Sequence, residues 1–205
     1  MGETFRGAHA AHPRHSLMQM PPLKTERLLI RPFADGDLNA IAAILESAAD
    51  DAVIWRYVRH GGLNAAVLRD LGQPPLGDRA IVMHQTGDLI GLAGLVPAFG
   101  PFEQLRPLDE EPKRDRPPVP NRIEIGLYYR VAPEHRKRGI ATEAARALAA
   151  FAFERMHLGR IIATTERDNH ASQAVMRRLG MRMHENSRTD PDWFQVVGIL
   201  DRENW

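Results

Sequence analysis

The sequence predicts a single α/β domain with a mostly antiparallel front half and a strand–helix–strand–helix unit behind it. The 205 residues match the size of one full domain, which buries enough core to fold without disulfides. Apolar residues alternate over residues 123–129, which predicts a half-buried strand, and residues 140–156 carry a one-sided apolar face, which predicts a helix. The β-branched run 160–165 then predicts the next strand. This order is typical of a sheet flanked by helices.

Residues 1–22 are predicted to be a disordered leader, and the domain itself is predicted to span residues 23–205. The leader is rich in Gly, Ala, His and Pro, shows no periodicity and lacks the apolar run of a secretory signal. The longest apolar stretches of the chain fall short of the roughly 20 residues that span a bilayer, so no membrane partner is predicted. The absence of cysteine excludes a disulfide framework and a cysteine nucleophile, and it is compatible with a reducing cytoplasm.

A strand and a short helix are predicted to open the domain. Residues 28–31 form an apolar run that Pro32 ends, which favours a first strand. Asp35 and Asp37 then offer N-cap oxygens to a predicted helix over residues 38–45.

A second helix and a hairpin are predicted to follow. Residues 65–71 are predicted to be helical after a break at the glycine pair 61–62. Residues 80–84 and 89–96 are predicted to pair around the turn at residues 86–88, which places a glycine where a tight turn needs one.

The remaining segments are a proline-rich loop and the end of the domain. Residues 101–120 contain six prolines, so they are predicted to form a long surface loop, which we interpret as a lid or a dimer contact. A short helix over residues 171–179 and a final strand pair around Met183 and residues 194–200 complete the chain.

The junction between the strand at 123–129 and the helix at 140–156 is predicted to bind an anion. A helix start leaves backbone N–H groups unpaired and carries partial positive charge, which suits a diphosphate. Gly139 removes a side chain that would block close approach, Ala141 is small, and the run at residues 136–138 is basic. P-loop and dinucleotide-binding motifs are absent, and a basic loop that only caps a core helix is the alternative.

These residues resemble the GNAT family of N-acetyltransferases. The segment RKRGIA at residues 136–141 is similar to the RxxGxA signature of that family, and NHASQAVMRRLGM at residues 169–181 is similar to its ribosomal-protein-alanine (RimJ/RimL-like) branch. LKTERLLIRPF at residues 23–33 and VVGILDRENW at residues 196–205 also resemble that branch. The resemblance therefore covers residues 23–205.

The resemblance implies the acyl-CoA N-acyltransferase fold, a twisted, mixed and mostly antiparallel sheet flanked by helices, with splayed central strands. Acetyl-CoA would lie between the strands at residues 123–129 and 160–165. Asn169 would cap the following helix or contact the pantetheine. No metal site is predicted. The pyrophosphate would be held beside Arg136 by the backbone amides of Arg138, Gly139, Ile140, Ala141 and Thr142.

Direct attack of an amine on the thioester requires a base and a proton source for the departing thiolate. Glu124 is the candidate base because it lies on the strand that lines the cleft, and a rim charge paired with Arg122 is the alternative. Glu166 is the second candidate. The usual tyrosine acid of the family aligns with Met176, which cannot donate a proton. Ser172 is therefore the candidate donor, against an ordinary serine of the first helical turn.

The expected function is acetyl transfer from acetyl-CoA to a primary amine, with the N-terminal amine of a protein or peptide as the favoured acceptor. A small-molecule amine acetyltransferase and a non-catalytic acyl-CoA-binding sensor are the alternatives, and the donor is acetyl-CoA or succinyl-CoA. Lys+Arg 27 against Asp+Glu 26 leaves a formal net charge of +1, which disfavours a nucleic-acid partner.

Overall fold

Eight strands form one sheet in the computed structural model, which describes residues 19–47, 51–71, 73–100, 122–186 and 194–205. The strands are β1 (Leu23–Lys24), β2 (Leu28–Arg31), β3 (Gly77–Met83), β4 (Leu89–Gly100), β5 (Arg122–Val131), β6 (Arg160–Thr165), β7 (Arg182–Glu185) and β8 (Val196–Asp201). The helices are α1 (Leu38–Leu45), α2 (Ala52–Asp70), α3 (Ile140–Glu154) and α4 (His170–Arg178). Short 3₁₀ turns lie at Asp35–Asp37, Pro133–His135 and Arg202–Asn204.

The sheet has the strand order β1-β2-β3-β4-β5-β6-β8-β7. Neighbouring strands pair antiparallel except β5 and β6, which run parallel. Among the described residues, β5 and β6 share a single paired position, Gly126 opposite Ile162, and Glu124 contacts Arg160 just before it. The two strands therefore separate toward their C-terminal ends. The predicted mixed, mostly antiparallel sheet with splayed central strands is confirmed.

Helices cover both faces of the sheet. On one face, α3 and α4 pack on the strands through a cluster that includes Ile81, Leu95, Leu148, Phe153 and Met176. On the other face, α1 and α2 pack on β2, β3 and β4 through a cluster that includes Phe33, Ile41, Ile54, Val82 and Leu92. Farther along the second face, Phe194 covers β6 and β8. The middle of β5 lies between the α1–α2 cluster and the Phe194 cluster. Tyr128 packs against the α1–α2 cluster.

The helix cap predicted at Asp37 is wrong. The Asp37 carboxylate does not cap α1 but pairs with Arg31 at 2.7 and 2.8 Å and accepts the Ala34 N–H at 2.8 Å. A bidentate guanidinium pair is stronger than a hydrogen bond from a neutral amide, which explains why the carboxylate pairs with Arg31 and does not cap α1. Burial alone raises the pKa of Asp37, but these hydrogen bonds outweigh it, so its pKa lies below the usual value.

The helix break predicted at residues 61–62 is also wrong, because α2 runs continuously through both glycines. Each glycine costs a helix interior about 1 kcal/mol relative to alanine. The reason for Gly61 is its contact with Phe33, since a Cβ at this position would lie 2.7 Å from Cδ2 of that ring. The missing side chain therefore allows α2 to lie close to the end of β2.

The other predicted elements agree with the structure to within a few residues, although β1 was not predicted and both hairpin strands are longer than predicted. Residues 1–18 and the proline-rich loop lie outside the described residues, so the domain limits, the lid and the dimer contact stay predictions. Met20 is buried, and its carbonyl oxygen accepts a hydrogen bond from Arg79 at 3.0 Å. No helix of the described ranges is long and apolar enough to cross a membrane.

Candidate active site

A sharp loop connects β5 to α3. Lys137 and Gly139 in this loop both have left-handed backbone conformations, with φ of 60° and 78°. A residue with a side chain is strained in this region, and such strain is concentrated at functional sites. Turns of this kind aim successive backbone N–H groups into one concavity, which binds anions. The loop therefore has the backbone geometry of an anion site.

The N-terminus of α3 is open to a ligand. No side chain of the described ranges caps it, so within them the backbone N–H groups of its first turn, from Ile140 to Thr142, have no capping partner. Ala141 is the smallest side chain of this turn, and Gly139 before it has none. The helix dipole adds partial positive charge at the same place. A pyrophosphate fits these groups by charge and by hydrogen-bonding capacity.

Thr142 provides an independent indication that a ligand binds here. Its Oγ1 is buried and has no hydrogen-bond partner in the part of the chain that the structure describes. Leaving a buried hydroxyl unsatisfied costs about 1–3 kcal/mol, and a phosphate oxygen beside the helix start would accept its hydrogen. The residues present therefore fit a phosphate-bearing cofactor. The described residues contain no cluster of His, Asp and Glu suited to a metal ion.

An ion pair between distant segments fixes the loop. Arg27 donates to the Glu143 carboxylate from Nε at 2.7 Å and from its backbone N–H at 3.0 Å, and Thr25 donates its hydroxyl to the same carboxylate at 2.5 Å. The Arg27 guanidinium also donates to the carbonyl oxygen of Arg138 at 3.1 Å. Burial raises the pKa of Glu143, but these donors outweigh it and hold its pKa below the usual value. Sequence reasoning missed Arg27.

Residues 136–142, the loop and first turn predicted to hold the pyrophosphate, are called the cradle below. The two arginines predicted to assist it, Arg136 and Arg138, differ in their surroundings. The Arg136 side chain donates from Nε to the carbonyl oxygen of Val131 at 2.9 Å and lies 3.9 Å from Glu46. Its guanidinium is thus held against the end of β5. Arg138 is exposed, and only its carbonyl has a described partner, Arg27. A direct contact of either side chain with a phosphate stays a prediction.

Glu124, the predicted base, lies at the closed end of the splayed strands. Its carboxylate accepts hydrogen bonds from Nε of Arg160 at 3.0 Å and from Nη2 of the same residue. The side chain of Glu124 is 11% exposed. This pair joins β5 to β6 and places one N–H donor on each oxygen of the carboxylate. The role of Glu124 as base stays a prediction.

Asn169 and Ser172 lie at the start of α4, after the C-terminal end of β6. Asn169 Oδ1 accepts the Ser172 N–H at 3.1 Å, so Asn169 caps α4, which is one of its two predicted roles. The hydroxyl of Ser172 lies 3.0 Å from the hydroxyl of Tyr129, which also donates to the Ser172 carbonyl oxygen at 3.1 Å. Burial raises the pKa of Tyr129, and the hydrogen bond with Ser172 partly offsets this. Ser172 and Tyr129 form a hydroxyl pair between α4 and β5.

Met176, which the sequence comparison above aligns with the usual tyrosine of the family, belongs to the core. It is fully buried, and its sulfur would lie 3.1 Å from a Cβ at Gly198. Tyr129 is the phenol beside Ser172 that sequence reasoning missed, because the alternation of β5 presents it only as an apolar position. The available signal was a tyrosine among aliphatic residues on the core-facing side of the strand.

Comparison with known proteins identifies the family. The acetyltransferase (GNAT) domain matches residues 27–182. An uncharacterized N-acetyltransferase, YnaD of Bacillus subtilis, is 27% identical over 164 residues, which are 78% of this chain and 82% of that protein. An acetyltransferase structure from Agrobacterium tumefaciens has a TM-score of 0.62 and 26% identity, covering 89% of this chain and 95% of that one. The ribosomal-protein-S5-alanine acetyltransferase of Vibrio fischeri has a TM-score of 0.61 at 13% identity, covering 91% and 99%.

A splayed sheet beside an uncapped helix start, with this family match, defines an acyl-CoA-dependent transferase. The chain belongs to the GNAT family of N-acetyltransferases, which use acetyl-CoA. The predicted family, fold and enzyme class are confirmed. The predicted ribosomal-protein branch is not, because the B. subtilis relative is uncharacterized and 13% identity shows the fold alone.

Proposed function

We propose that this protein transfers the acetyl group of acetyl-CoA to the N-terminal amine of a protein or peptide. Acetyltransferase activity follows from membership of the family, whereas the acceptor and the roles of single residues are the proposal. The observation that supports acetyl-CoA as the donor is the start of α3 beside the splay between β5 and β6, where among the described residues no side chain caps the helix and the Thr142 hydroxyl has no partner.

The donor lies across the splay in this proposal. Backbone N–H groups of residues 138–142 bind the pyrophosphate, the Thr142 hydroxyl donates to a phosphate oxygen, and Arg136 and Arg138 add positive charge. Asn169 already uses its side-chain oxygen as a cap. In this proposal, the amide N–H₂ of Asn169 would donate to the pantetheine. When bound, acetyl-CoA supplies an activated acyl group, the acetyl thioester.

Two protons have to leave the amine, since an α-amino group with a pKa of about 7.7–8.0 is mostly protonated at neutral pH. Glu124 is the base predicted from the sequence. Ser172, together with Tyr129, donates to the departing thiolate. Because the amine attacks the thioester directly, the reaction requires no covalent bond to the enzyme.

An N-terminal amine is favoured by the resemblance of residues 169–181 to the ribosomal-protein-alanine branch and by the name of the V. fischeri neighbour. A small-molecule amine is the alternative, and it leaves the cofactor residues unchanged. We also propose that the enzyme acts in the cytoplasm and that residues 101–120 serve as its lid or dimer contact.

Met176 favours a second candidate function, a sensor that binds acyl-CoA without transferring the acyl group. The usual tyrosine donor is replaced by a buried thioether that cannot donate a proton. The Ser172–Tyr129 pair favours the enzyme instead, because it joins two hydroxyls, one on β5 and one at the start of α4, and a hydroxyl can donate a proton where Met176 cannot.

The test is calorimetric titration with acetyl-CoA, followed by thiol release with N-terminal peptides, polyamines and aminoglycosides. Peptide-dependent release supports the proposal, and release with small amines alone moves the acceptor to that class. Binding without release on the whole panel favours the sensor. The absence of binding contradicts the cofactor assignment. If Glu124→Gln and Ser172→Ala keep full turnover, their assigned roles are wrong while the transferase stands.

A further inference from the structure

An open cavity of about 510 Å³ adjoins the cradle. Gly139 and Thr142 of the cradle form part of its wall, so the cavity and the predicted pyrophosphate site share these residues. The remaining lining residues all carry charge: Glu26, Lys137, Glu143, Arg146 and Arg178. Sites for uncharged small ligands are mostly apolar, with few polar groups. The cavity is therefore suited to a charged ligand.

Three different elements contribute the positive charge of this cavity. Lys137 lies in the loop before α3, Arg146 on α3, and Arg178 in the last turn of α4. Side chains four residues apart lie on the same face of a helix, so Arg146 continues the face that Thr142 begins. All three basic residues are exposed. Like charges that converge repel each other, and an anion placed between them removes this repulsion.

Two contacts hold the Arg146 guanidinium in place. Its Nη2 donates to the carbonyl oxygen of Arg178 at 3.0 Å, and its Cζ lies 5.9 Å from the centroid of the Trp205 ring. A guanidinium has five N–H donors and this hydrogen bond uses one of them, so the side chain can still donate to a ligand. A side chain that is already ordered loses less conformational entropy on binding. Arg146 is therefore positioned to bind an anion.

The negative charge of the lining is smaller than the positive charge. Glu143 is paired with Arg27, which donates to its carboxylate at 2.7 Å. Glu26, in the turn between β1 and β2, is exposed. On this lining, three cations therefore face one carboxylate that the Arg27 pair does not neutralise. A phosphate monoester carries a charge of about −1.5 to −2 at pH 7 and has three acceptor oxygens, so it balances this excess.

Coenzyme A carries a phosphate monoester close to its pyrophosphate. The pyrophosphate is attached to the 5′ carbon of a ribose, and the 3′ oxygen of the same ribose carries the monoester. One sugar therefore separates the two groups. With the pyrophosphate in the cradle, the monoester lies about one sugar away from Gly139 and Thr142, which the cavity shares with the cradle.

We propose that Lys137, Arg146 and Arg178 bind the 3′-phosphate of the donor, and that they make the enzyme select CoA thioesters over the 3′-dephospho forms. This inference rests on the proposed function, because it requires the pyrophosphate to lie in the cradle. The three side chains act on donor binding alone, and the turnover number at saturating donor does not depend on them.

Calorimetric titration with CoA and with 3′-dephospho-CoA measures this selectivity without turnover. The wild type is expected to bind CoA about 30-fold more tightly, since each of three exposed ionic contacts contributes about threefold. Arg146→Gln and Arg178→Gln are each expected to reduce this preference about threefold, and the double variant about tenfold. The affinity of these variants for 3′-dephospho-CoA stays within about twofold of the wild type, since the cradle is intact.

Arg177→Gln is the matched control. Arg177 lies in the same last turn of α4 as Arg178, but its guanidinium donates to Oε1 of Gln173 in the same helix at 3.1 Å. Both arginines carry the same favourable charge for a helix C-terminus, and the control is expected to keep the full preference for CoA. Glu26→Gln is expected to raise the preference about twofold, because it removes a carboxylate from the lining.

Equal affinity of the wild type for CoA and 3′-dephospho-CoA overturns this inference and leaves the proposed function standing. An equal loss of affinity for both ligands in the double variant also overturns it, because the arginines then support the fold or the pyrophosphate. A loss of preference in Arg177→Gln as large as that in Arg178→Gln overturns it as well, since the charge of the helix end then suffices. Failure of the wild type to bind either ligand overturns the cofactor assignment and this inference with it.

Discussion

Among single residues, Gly139 and Gly180 form a matched pair, because both have left-handed backbone conformations at a helix end, with φ of 78° and 84°. Alanine at either position costs about 1 kcal/mol of stability. Only Gly139→Ala is expected to weaken acetyl-CoA binding, by about tenfold, because relief of the strain displaces the first-turn amides of α3. Urea unfolding and calorimetry measure the two effects. Equal affinities in the two variants would contradict the cradle.

Thr142→Val tests the same site with effects of opposite sign. The substitution removes a buried hydroxyl that has no partner among the described residues, so the free protein is expected to be at least as stable as the wild type. Acetyl-CoA affinity is expected to fall about fivefold, equivalent to about 1 kcal/mol, because a hydrogen bond to phosphate is lost. Thermal melts measure the stability and calorimetry measures the affinity for acetyl-CoA. Unchanged affinity would exclude the Thr142 contact with phosphate.

Residues within one contiguous motif could be predicted from the sequence, whereas residues brought together by folding could not. The loop at residues 136–142 follows from local spacing, and Asn169 and Ser172 from the resemblance of residues 169–181 to the family. Of these, the cap by Asn169 is confirmed, whereas the roles toward acetyl-CoA stay predictions. Arg27 reaches Glu143 across 116 positions, and Tyr129 reaches Ser172 across 43. Such contacts depend on the strand order, which no local pattern encodes.

On the scale of elements, the Arg27–Glu143 pair holds the β1–β2 turn against α3. Glu143→Gln is expected to cost about 1–2 kcal/mol at pH 7, since hydrogen bonds to a charged group are lost from a partly exposed site. The folded-state pKa of Glu143 is lowered, so its stabilisation is complete well above the unfolded value of about 4.3 and is lost as the pH falls below it.

The difference in unfolding free energy between wild type and Glu143→Gln is therefore expected to be smaller at pH 4 than at pH 7. Urea titrations at the two pH values measure it. A difference that does not depend on pH would show that Glu143 acts through packing and not through its charge.

Element types were predictable where a periodic pattern decides them, as in β5, β6 and α3. The errors occurred where a tertiary contact overrides a local preference. The glycine pair in α2 indicates a break by propensity, yet Phe33 packs into the space that it leaves. Asp37 is a good cap by type, yet Arg31 competes for its carboxylate.

For the whole molecule, acetyl-CoA is expected to raise the thermal unfolding temperature, because it binds only the folded chain. At about 100 times its Kd it adds about 2.7 kcal/mol, or about 5–10 °C for a domain of this size. Free CoA should give a similar shift, since its pyrophosphate and pantetheine are the same. Adenosine should give none, and a shift with adenosine alone would place the main binding energy outside the cradle.

Within the described chain, β5 and β6 pair at one position only, and this has a consequence for handling the protein. Past Gly126, the edge of β5 offers backbone donors and acceptors to any extended chain, and exposed edges of this kind promote association between molecules. A bound pantetheine would pair with these backbone groups as a neighbouring strand does, and so would shield the edge. Preparations freed of CoA should therefore aggregate at lower concentration than loaded ones, and light scattering before and after removal of the nucleotide would report it.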